Sequence, residues 1–581
     1  MAGMENTGKT FAGLAGLAAA AFVPLHFAAA AAAEADVVIY GGTSAAVAAA
    51  VAAGREGLKA IVVSPEKRIG GLTTGGLGQT DIGNKKAFGG IALEFYKAVA
   101  AYYGNPDSLT VQFPDERKRK AVASAISKIG SKWTFEPSAA LAIFEGWEKR
   151  DGLDIRRGEW LDREKGVEKK DGRIVSIRTL SGNVYRGKVF LDATYEGDLM
   201  AAAGVSYHVG REANSTYGET LNGNEPGYAK YHQLNKGVDP YVVPGDPSSG
   251  ILPGVEPYDP AFKPGDGDKR VQAYCFRMCL TDVPENRIPF KKPEGYDEKD
   301  YELLFRHLAI APLDRSGMPW INSKMPNRKT DTNNRTGYST DFIGRNWDWP
   351  EASYAEREAI LKAHLKYQQG LMWTLANHPR VPEKIREEVS RWGTCKDEFQ
   401  DGLGDGWQTQ LYVREARRMV GDYVMTEANC RGKVVAPRPV AMGAYTMDSH
   451  HVRRYVGEDG FVHNEGDVEV GKDENGKRFP PYPIDYGAIV PKRGECANLL
   501  VPVCVSASHI AFGSIRMEPV FFALGEASGI AAAMAAASGS AVQNVPYPAL
   551  RAKLLAAGVV LEWKPSKAAP VSLPSTARKR R

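Results

Sequence analysis

Residues 36–64, DVVIYGGTSAAVAAAVAAGREGLKAIVVS, decide the fold, because they read as a strand, a glycine turn, a helix and a second strand. Asp36–Tyr40 and Lys59–Ser64 are short apolar runs rich in valine and isoleucine, and the alanine-rich stretch between them ends near Gly54. Two strands joined by one helix within 29 residues match the βαβ unit that binds dinucleotides. The sequence therefore predicts an α/β fold with a Rossmann-like first unit.

The glycine turn matches the G-x-G-x-x-G pattern only in part. Gly41 takes the first place, but Thr43 stands in the second and Ala46 in the third. The start of the helix offers free amide groups and a partial positive charge to a phosphate, and we expect the Thr43 hydroxyl to be able to donate to a phosphate oxygen. An acidic residue usually ends the second strand, whereas here Ser64 holds that place and Glu66 follows two residues later. A βαβ unit that packs without a ligand is the alternative.

A glycine-rich loop follows the second strand. Gly70–Gly90 (GGLTTGGLGQTDIGNKKAFGG) holds 8 of the 61 glycines of the chain in 21 residues, and Ile91–Tyr103 after it has the pattern of an amphipathic helix. Glycine at this density costs chain entropy, so it indicates places where the backbone lies close to something. We expect a flat, extended ligand to cross this loop, with a flexible linker as the alternative.

Two later parts of the chain complete the nucleotide fold. Lys188–Leu191 (KVFL) predicts a strand that runs into Asp192–Thr194. Asn498–Cys504 (NLLVPVC) predicts another strand, Ser506–Ile515 a polar turn and Arg516–Ala536 a helix. Because these parts lie hundreds of residues apart, we expect a nucleotide-binding domain of discontinuous sequence.

Both ends of the chain are predicted to lie outside the fold. Phe11–Ala33 is apolar and rich in alanine, which is typical of a secretory signal cleaved near Ala33, and an uncleaved membrane anchor is the alternative. Lys564–Arg581 is rich in Pro, Ala, Ser and basic residues, which is typical of a disordered tail. No other stretch reaches about 18 apolar residues, so we expect no membrane span in the mature chain.

The net charge is concentrated in the predicted tail. The chain has 74 Lys+Arg against 69 Asp+Glu, a formal charge of +5. The last four residues, RKRR, carry +4 of it, so the remainder is close to neutral and does not indicate a nucleic-acid partner. A hydrophobic content of 43% and a charged content of 25% exclude a disordered, collagen-like or polytopic membrane protein.

The cysteines do not indicate a cluster or a metal site. The chain has six cysteines and no C-x-x-C motif, so a disulfide framework, a metal site and an iron–sulfur cluster are all disfavoured. We expect six small buried side chains: Cys275, Cys279, Cys395, Cys430, Cys496 and Cys504.

Residues 210–482 interrupt the nucleotide fold and are expected to hold the substrate. Aromatic faces beside amide and guanidinium groups suit sugar-like ligands, although packing is the commoner role of tryptophan. Six of the ten tryptophans fall in this part: Trp320, Trp347, Trp349, Trp373, Trp392 and Trp407. A predicted helix over Gln408–Thr426 would place Arg414 and Arg418 on one face, where they would meet the substrate, the cofactor or surface carboxylates. We expect Arg414 and Tyr445 to contact the substrate.

Three histidines are candidates for a general base. His450 and His451 lie in the block DSHH, and His509 lies beside the predicted turn. Oxidising a C–H bond next to an O–H or N–H bond needs a base for the proton while the hydride leaves, and the pKa of histidine suits that task. A structural role is the alternative for each histidine, and we expect only one of the three to be catalytic.

Eight blocks carry a resemblance to a known family. They are ADVVIYGGTSAAVAAAVAAGREG, SPEKRIGGLTTGGLGQTDIGN, LDATYEGDLMAAAG, REANSTYGETLNG, TDTNNRTGYSTDFIG, QLYVREARRMVGDYVMT, YTMDSHHVRRYV and SASHIAFGSIRMEPVFFALGEASG. With these blocks the chain resembles the FAD-dependent oxidoreductases of the heterodisulfide-reductase-A-like flavoprotein group. More narrowly, it resembles an exported bacterial branch whose substrate is not established. Relatives in this group that carry iron–sulfur clusters use Cys-rich runs, which this chain lacks.

The resemblance implies FAD as the cofactor, bound along the glycine turn by its pyrophosphate. The residues expected to hold it are Gly41, Gly42, Thr43, Ser44, Ala45, Ala46, Glu66, Lys67, Gly70, Gly71, Thr73, Gly75, Asp192, Ala193, Thr194, Gly513, Ser514, Arg516 and Met517. The first six would lie at the pyrophosphate, Glu66 and Lys67 near the adenosine, and the glycine loop near the ribityl chain and ring. The start of the Arg516 helix would face the ring, because reduced flavin gains negative charge there and a helix N-terminus stabilises it.

The predicted organisation has five parts: a signal peptide (1–33), an FAD/NAD(P)-binding Rossmann-like domain in two pieces (34–209 and 483–548), a mixed α+β substrate insert (210–482) and a tail (564–581). The predicted function is an exported, periplasmic or membrane-anchored enzyme that moves a hydride between an organic substrate and flavin N5. A carbohydrate-like substrate is a hypothesis, and the sequence does not identify the electron acceptor. An NAD-dependent dehydrogenase, a polysaccharide lyase and a non-catalytic carbohydrate-binding protein are the alternatives, but they leave several cofactor-like segments unexplained.

Overall fold

The computed structural model describes residues 32–226, 232–311 and 320–564. The predicted signal peptide lies outside these residues except for Ala32 and Ala33, and the predicted tail lies outside them except for Lys564.

The strands in chain order are β1 Ala32–Tyr40, β2 Ala60–Ser64, β3 Asp154–Arg157, β4 Val167–Lys170, β5 Arg173–Arg178, β6 Val184–Asp192, β7 Tyr207–Val209, β8 Met278–Thr281, β9 Arg287–Ile288, β10 Trp320–Lys324, β11 Lys329–Asn334, β12 Gly393–Cys395, β13 Arg417–Met419, β14 Pro439–Gly443, β15 Met447–Ser449, β16 Arg453–Val456, β17 Val462–Glu465, β18 Val468–Val470, β19 Tyr482–Asp485 and β20 Leu499–Leu500. The α-helices are α1 Ser44–Arg55, α2 Gly90–Tyr103, α3 Glu116–Ile129, α4 Pro137–Asp151, α5 Asp198–Ala202, α6 Asn214–Tyr217, α7 Glu302–Ile310, α8 Tyr354–Asn377, α9 Glu383–Ser390, α10 Glu427–Cys430, α11 His509–Ile515, α12 Glu518–Ser538 and α13 Tyr547–Ala556.

The main sheet has the order β3–β2–β1–β6–β5–β4, with β20 also paired to β6. The pairs β1–β2, β2–β3, β1–β6 and β6–β20 are parallel, while β4–β5 and β5–β6 are antiparallel. Val37 and Ile39 face one buried core and Val38 and Tyr40 face another, which explains the unbroken apolar run of β1. The predicted α/β fold and its first unit are confirmed, and β20 joins the sheet from a distant part of the sequence.

Helices α1 and α12 pack with their backbones in close contact. A methyl group on Gly525 would lie 2.3 Å from the carbonyl oxygen of Ala45, and one on Gly529 would lie 2.4 Å from that of Ala49. The alanine-rich sequence of α1 therefore serves this contact, because larger side chains would hold the helices apart. The contact places the N-termini of the two helices near each other at one edge of the sheet.

Helix α12 also has the length and hydropathy of a membrane span. Most of its residues are buried inside the fold, as in the core helix of a globular protein.

The middle of the chain is a mixed α+β region, as predicted. Its largest sheet has the order β10–β11–β8–β12–β9 and is antiparallel, and the long helix α8 belongs to the same region. The tryptophans do not gather around one ligand site. The Trp347 indole donates to the Val452 carbonyl at 3.0 Å, Trp373 packs edge-on against Tyr296, and Trp407 packs edge-on against Phe276. The Trp392 indole donates to its neighbour Glu388 at 3.4 Å, and the side chain of Trp320 lies outside the described part.

Two predicted elements are wrong. Gln408–Thr426 is not a helix, because β13 within it pairs with β7 and places Arg418 opposite His208. Buried ion pairs of the arginines in this segment stabilise the extended chain. A prediction from the spacing of residues along the sequence cannot include these pairs. Residues 506–515 are not only a turn: α11 begins at His509, with the Ser508 side chain as its N-cap. The chain breaks at Arg516–Met517 before α12 begins at Glu518.

The contact between α1 and α12 predicts the effect of a single methyl group. Gly525→Ala should lower the free energy of unfolding by about 1–3 kcal/mol, because the added carbon overlaps the backbone of α1. Gly146→Ala is the matched control within helix α4, where an added methyl meets nothing within 4 Å, and it should stabilise by about 0.5–1 kcal/mol. Denaturant unfolding of both variants measures the difference, and equal effects would contradict the proposed contact.

Candidate FAD and substrate site

The turn after β1 approaches the turn after β6 so closely that only glycine fits. Gly41 has φ of +116°, and a methyl group on it would lie 2.6 Å from the carbonyl oxygen of Ala193. Thr43 caps α1, and its hydroxyl donates to the same carbonyl oxygen at 2.7 Å. In this structure the Thr43 hydroxyl is therefore used within the protein and not offered to a phosphate. The same Thr43 oxygen accepts from the amide of Ala46 at 3.4 Å, so the amides of Ser44 and Ala45 are the first-turn donors left for an anion.

A cavity of about 430 Å³ opens beyond the ends of β2 and β6. From the nucleotide-binding side it is lined by Tyr40, Glu66, Lys67, Arg68, Trp160 and Thr194, and from the insert by Trp349, Tyr354, Arg357 and Leu361. Burial and the charge of Glu196 raise the pKa of Glu66 to about 7. Glu66 and Lys67 therefore line a cavity beyond β2, and their contact with the adenosine stays a prediction.

The glycine loop docks on the start of α1. The amide of Gly70 donates to the carbonyl of Gly42 at 2.6 Å, and Gly70 and Gly71 have φ of +96° and +54°. A methyl group on Gly71 would lie 2.4 Å from the hydroxyl of Tyr195, and one on Gly75 would lie 2.7 Å from Cβ of Gln410. The glycines of this loop therefore allow close approach of backbone to neighbouring segments, as the composition indicated.

Glu518, which the sequence reasoning missed, joins three cofactor segments. Its carboxylate is 1% exposed and accepts hydrogen bonds from Ser44 at 2.6 Å, from Thr73 at 2.5 Å and from Tyr195 at 2.8 Å. Burial raises its pKa, although these donors act in the opposite direction. Its position at the start of α12, directly after Arg516 and Met517, was the available signal, but its partners are hundreds of residues away.

The other residues predicted to bind the cofactor at this edge of the sheet mainly make contacts within the protein. The Asp192 carboxylate accepts from the amides of Thr194 at 3.0 Å and Met200 at 2.7 Å, while Thr194 lines the cavity. Gly513 lies inside α11, where a methyl group would lie 2.4 Å from the carbonyl oxygen of Asp448. Ser514 donates to the carbonyl of Tyr445 at 2.7 Å. Their contact with a cofactor stays a prediction, as does that of Met517, the N-cap of α12.

On the insert side, His450 forms a dyad with Asp341. Nδ1 of His450 lies 2.7 Å from Oδ2 of Asp341, and the other carboxylate oxygen lies 3.0 Å from the guanidinium of Arg414. Burial alone would raise the pKa of Asp341, but the charge of Arg414 and the contact with His450 hold it well below its usual range. Arg414 binds Asp341 and is 1% exposed, so it is not accessible to a substrate in this structure.

The second nitrogen of His450 lies beside a group of neighbouring polar side chains, named here the His450 cleft: Asp448, Arg516, Tyr445 and Asp81. Nε2 lies 4.0 Å from Oδ2 of Asp448, and the side chains of His450 and Asp448 are 11% and 17% exposed. Burial and the charge of Arg414 lower the pKa of His450, so its imidazole is neutral near pH 7. Half-buried Tyr445 lies near Asp81, and burial together with the Asp81 charge raises the pKa of its phenol.

Arg516 connects this cleft to the start of α12. Its guanidinium donates to the Tyr412 hydroxyl at 3.0 Å and to Oδ2 of Asp448 at 3.2 Å. Arg516 precedes Glu518, the first residue of α12, by two residues, so it lies between Asp448 and the start of that helix.

The other two histidines are buried in hydrogen-bond networks. His509 lies 2.7 Å from Glu415 through Nδ1 and 3.1 Å from the Ser449 hydroxyl through Nε2. This is the order of groups in a nucleophile relay, but Ser449 is 0% exposed and cannot meet a substrate here. Nε2 of His451 lies 2.9 Å from the carbonyl of His232, and His451 is 3% exposed. The geometry therefore favours His450 among the three predicted bases.

A family model described as FAD dependent oxidoreductase matches residues 36–554. The chain belongs to this family. FAD is accordingly its cofactor, and the donors at the start of α1, Glu66 beyond β2 and the close-approach glycines fit that group.

Solved flavoproteins resemble parts of this family member. L-proline dehydrogenase from P.horikoshii is 15% identical, with 31% of this chain and 58% of that chain covered and a TM-score of 0.22. L-amino acid deaminase from Proteus vulgaris is 15% identical, with coverage of 31% and 53% and a TM-score of 0.21. A flavin monooxygenase mutant from Stenotrophomonas maltophilia is 14% identical, with coverage of 27% and 37% and a TM-score of 0.17. The chain thus matches only about a third to three fifths of their lengths, and no curated protein matched it.

The Glu518 contacts predict a cofactor phenotype. Glu518→Gln should weaken FAD binding about tenfold, because an amide cannot accept equally from the hydroxyls that position Ser44, Thr73 and Tyr195. Glu526→Gln is the matched control on the same helix, since its buried carboxylate accepts from the amide of Ile91. Titrating apoprotein with FAD by flavin fluorescence gives both affinities; equal losses in the two variants would show that Glu518 acts only through stability.

Proposed function

We propose that this protein is an exported FAD-dependent oxidoreductase of the heterodisulfide-reductase-A-like group, which oxidises a hydroxyl-bearing carbon of a carbohydrate-like substrate with His450 as general base. The observation that carries the proposal is the His450–Asp341 dyad, whose second nitrogen lies beside Asp448 and so near Arg516 and the start of α12. Bound FAD would supply a hydride acceptor at N5. The remaining chemistry belongs to the side chains of the cleft.

The base function of His450 follows from its two contacts. With the Nδ1 proton directed at Asp341, the lone pair of Nε2 is free to take the proton of a substrate hydroxyl. The Asp341 carboxylate then stabilises the imidazolium that forms, and Arg414 keeps Asp341 ionised. Proton removal from oxygen makes hydride loss from the adjoining carbon easier, and the buried setting keeps bulk water away from that carbon.

The carbohydrate hypothesis is supported by the polar lining of the cleft and not by tryptophan. Asp448, Arg516, Tyr445 and Asp81 offer carboxylate, guanidinium and phenol groups, which bind the donors and acceptors of neighbouring hydroxyl groups. Trp349 lines the cavity at the Glu66 end, and the other described tryptophans of the insert pack within the fold. A neutral polyhydroxylated substrate suits this lining better than an apolar one.

The proposed function predicts a yellow protein whose colour bleaches under anaerobic addition of its substrate. A panel of neutral sugars, sugar acids and polyols covers the proposed class, and stopped-flow absorbance measures the rate. Sugar turnover by flavin-free protein would favour a lyase, and binding without bleaching across the panel would favour a carbohydrate-binding role. Either result would remove the proposed oxidation.

His450→Asn should lower the rate of flavin reduction about 100-fold or more, because the substitution removes the imidazole that takes the proton. His463→Asn is the matched control: this histidine is 40% exposed and lies 2.9 Å from Asp459 at the surface. Its variant should reduce flavin at the wild-type rate. An unchanged rate in His450→Asn would exclude this base.

The pH profile separates the base from the residue that orients it. Because burial and the charge of Arg414 lower the pKa of His450, the rate of flavin reduction should be constant near neutral pH. It should fall only at pH values below the ordinary pKa of histidine. Asp341→Asn removes the charge that raises the pKa of His450, so the fall should move to still lower pH while the maximal rate decreases. A fall displaced to higher pH would contradict the assigned contact.

Export predicts a processed N-terminus. Cleavage near Ala33 removes only the first residues of β1, which pair with Val184 and Tyr185, and leaves the buried pairs from Val37 to Tyr40. N-terminal sequencing of protein recovered from the periplasm should therefore begin near Glu34. An intact N-terminus in the membrane fraction would instead indicate the anchored form.

A further inference from the structure

A small sulfur cluster lies behind the glycine loop, apart from the main cores. It consists of Cys279, Met325, Cys395 and Phe399, all at most 4% exposed. A methyl group on Gly78 of the glycine loop would lie 2.1 Å from Sδ of Met325. The cluster therefore supports the loop that the cofactor segments use, and neither the fold nor the proposed chemistry requires it to contain cysteine.

Cys279 and Cys395 are neighbours across two antiparallel strands. Leu280 of β8 is opposite Thr394 of β12 and Thr281 is opposite Gly393, so the same register brings Cys279 opposite Cys395. Their sulfur atoms are 3.8 Å apart. Opposite residues of such strands have Cα atoms about 4.5–5.5 Å apart, which is within the range that a disulfide spans. Side-chain rotation can therefore bring the sulfurs to bonding distance without moving the strands.

The other four cysteines have partners that are not sulfur. Their sulfur atoms contact the guanidinium of Arg414 (Cys275), the carbonyl of Ala511 (Cys430), the side chain of Asn498 (Cys496) and the carbonyl of Thr194 (Cys504). The geometry thus selects one pair from six cysteines.

We propose that Cys279 and Cys395 form a disulfide in the exported protein, which rests on the export included in the proposed function. Oxidation joins the two Sγ atoms and releases two protons and two electrons to an exported dithiol–disulfide oxidant. One thiolate attacks the disulfide of the oxidant and displaces one of its thiols, and the second thiolate then displaces the other. The oxidant leaves as a dithiol.

The bond must close before the sheet is complete. Cys279 and Cys395 are 1% and 0% exposed in the fold, so an oxidant has no access to the pair, and burial raises the pKa of the Cys279 thiol, which disfavours its thiolate. The two residues are 116 positions apart, so the bond restricts a long stretch of the unfolded chain and stabilises the fold.

Thiol counting on the exported, FAD-bound protein tests the proposal. Protein from the periplasm is denatured without reductant and alkylated, and its mass is measured by mass spectrometry. We expect four alkylated cysteines, and six when the protein is reduced before alkylation. Cys395→Ser should give five without reductant, while the matched control Cys275→Ser should give three. Peptide mapping of the wild type should join the Cys279 peptide to the Cys395 peptide.

Six alkylated cysteines in unreduced wild type, or a cross-link to another cysteine, would overturn the disulfide. The wild-type map decides the matter even where a serine variant does not accumulate. If the protein is yellow, its flavin is reduced by a sugar and all six thiols are free, the disulfide is contradicted and the proposed oxidation stands. If the protein is colourless and the peptide map shows the Cys279–Cys395 bond, the disulfide stands and the proposed oxidation is contradicted.

Discussion

The close packing of α1 against α12 is the constraint on which the rest of the site depends. Two glycines of α12 face two alanines of α1 at distances that allow no side chain between them. Because Gly525 lies against Ala45 and Gly529 against Ala49, the two helices run in the same direction, and α1 begins just beyond the carboxyl end of β1. Ser44 at the start of α1 and Glu518 at the start of α12 are then within hydrogen-bond distance, and the glycine loop is added through Thr73.

The insert depends on a different interaction, the burial of paired charges. Its irregular segments are held by buried ion pairs of arginines, and all but one of the partners below come from remote parts of the chain. The pairs are Arg211 with Asp268 and Glu465, Arg277 with Asp331, Arg357 and Arg417 with Asp198, and Arg418 with Glu212 and with its near neighbour Glu415. Breaking one partner of such a pair is costly, since the other charge stays buried. These pairs therefore specify which loop lies against which, and the His450–Asp341–Arg414 group belongs to the same kind of network.

The first βαβ unit, helix α2 and the glycine-rich loop were predictable because their information is local. Alternation, glycine spacing and helix composition are contained within a few tens of residues, and β1, α1 and β2 lie close to their predicted positions. The segment around Arg414 was predicted wrongly because its strand pairs with β7, about 200 residues earlier. Helix α11 was predicted as a turn because its serine cap and polar start resemble one in sequence.

By itself, the sequence determined the fold class, the nucleotide-binding unit and the set of residue types available for chemistry. Only the tertiary structure decided which of the three histidines is partly exposed, and it brought Glu518 to three hydroxyl groups from separate segments. It also turned the expected phosphate donor Thr43 toward a backbone carbonyl. The physical reason is that exposure, charge pairing and hydrogen-bond partners arise from contacts between distant residues, whereas periodicity and turn chemistry are properties of neighbours in the chain.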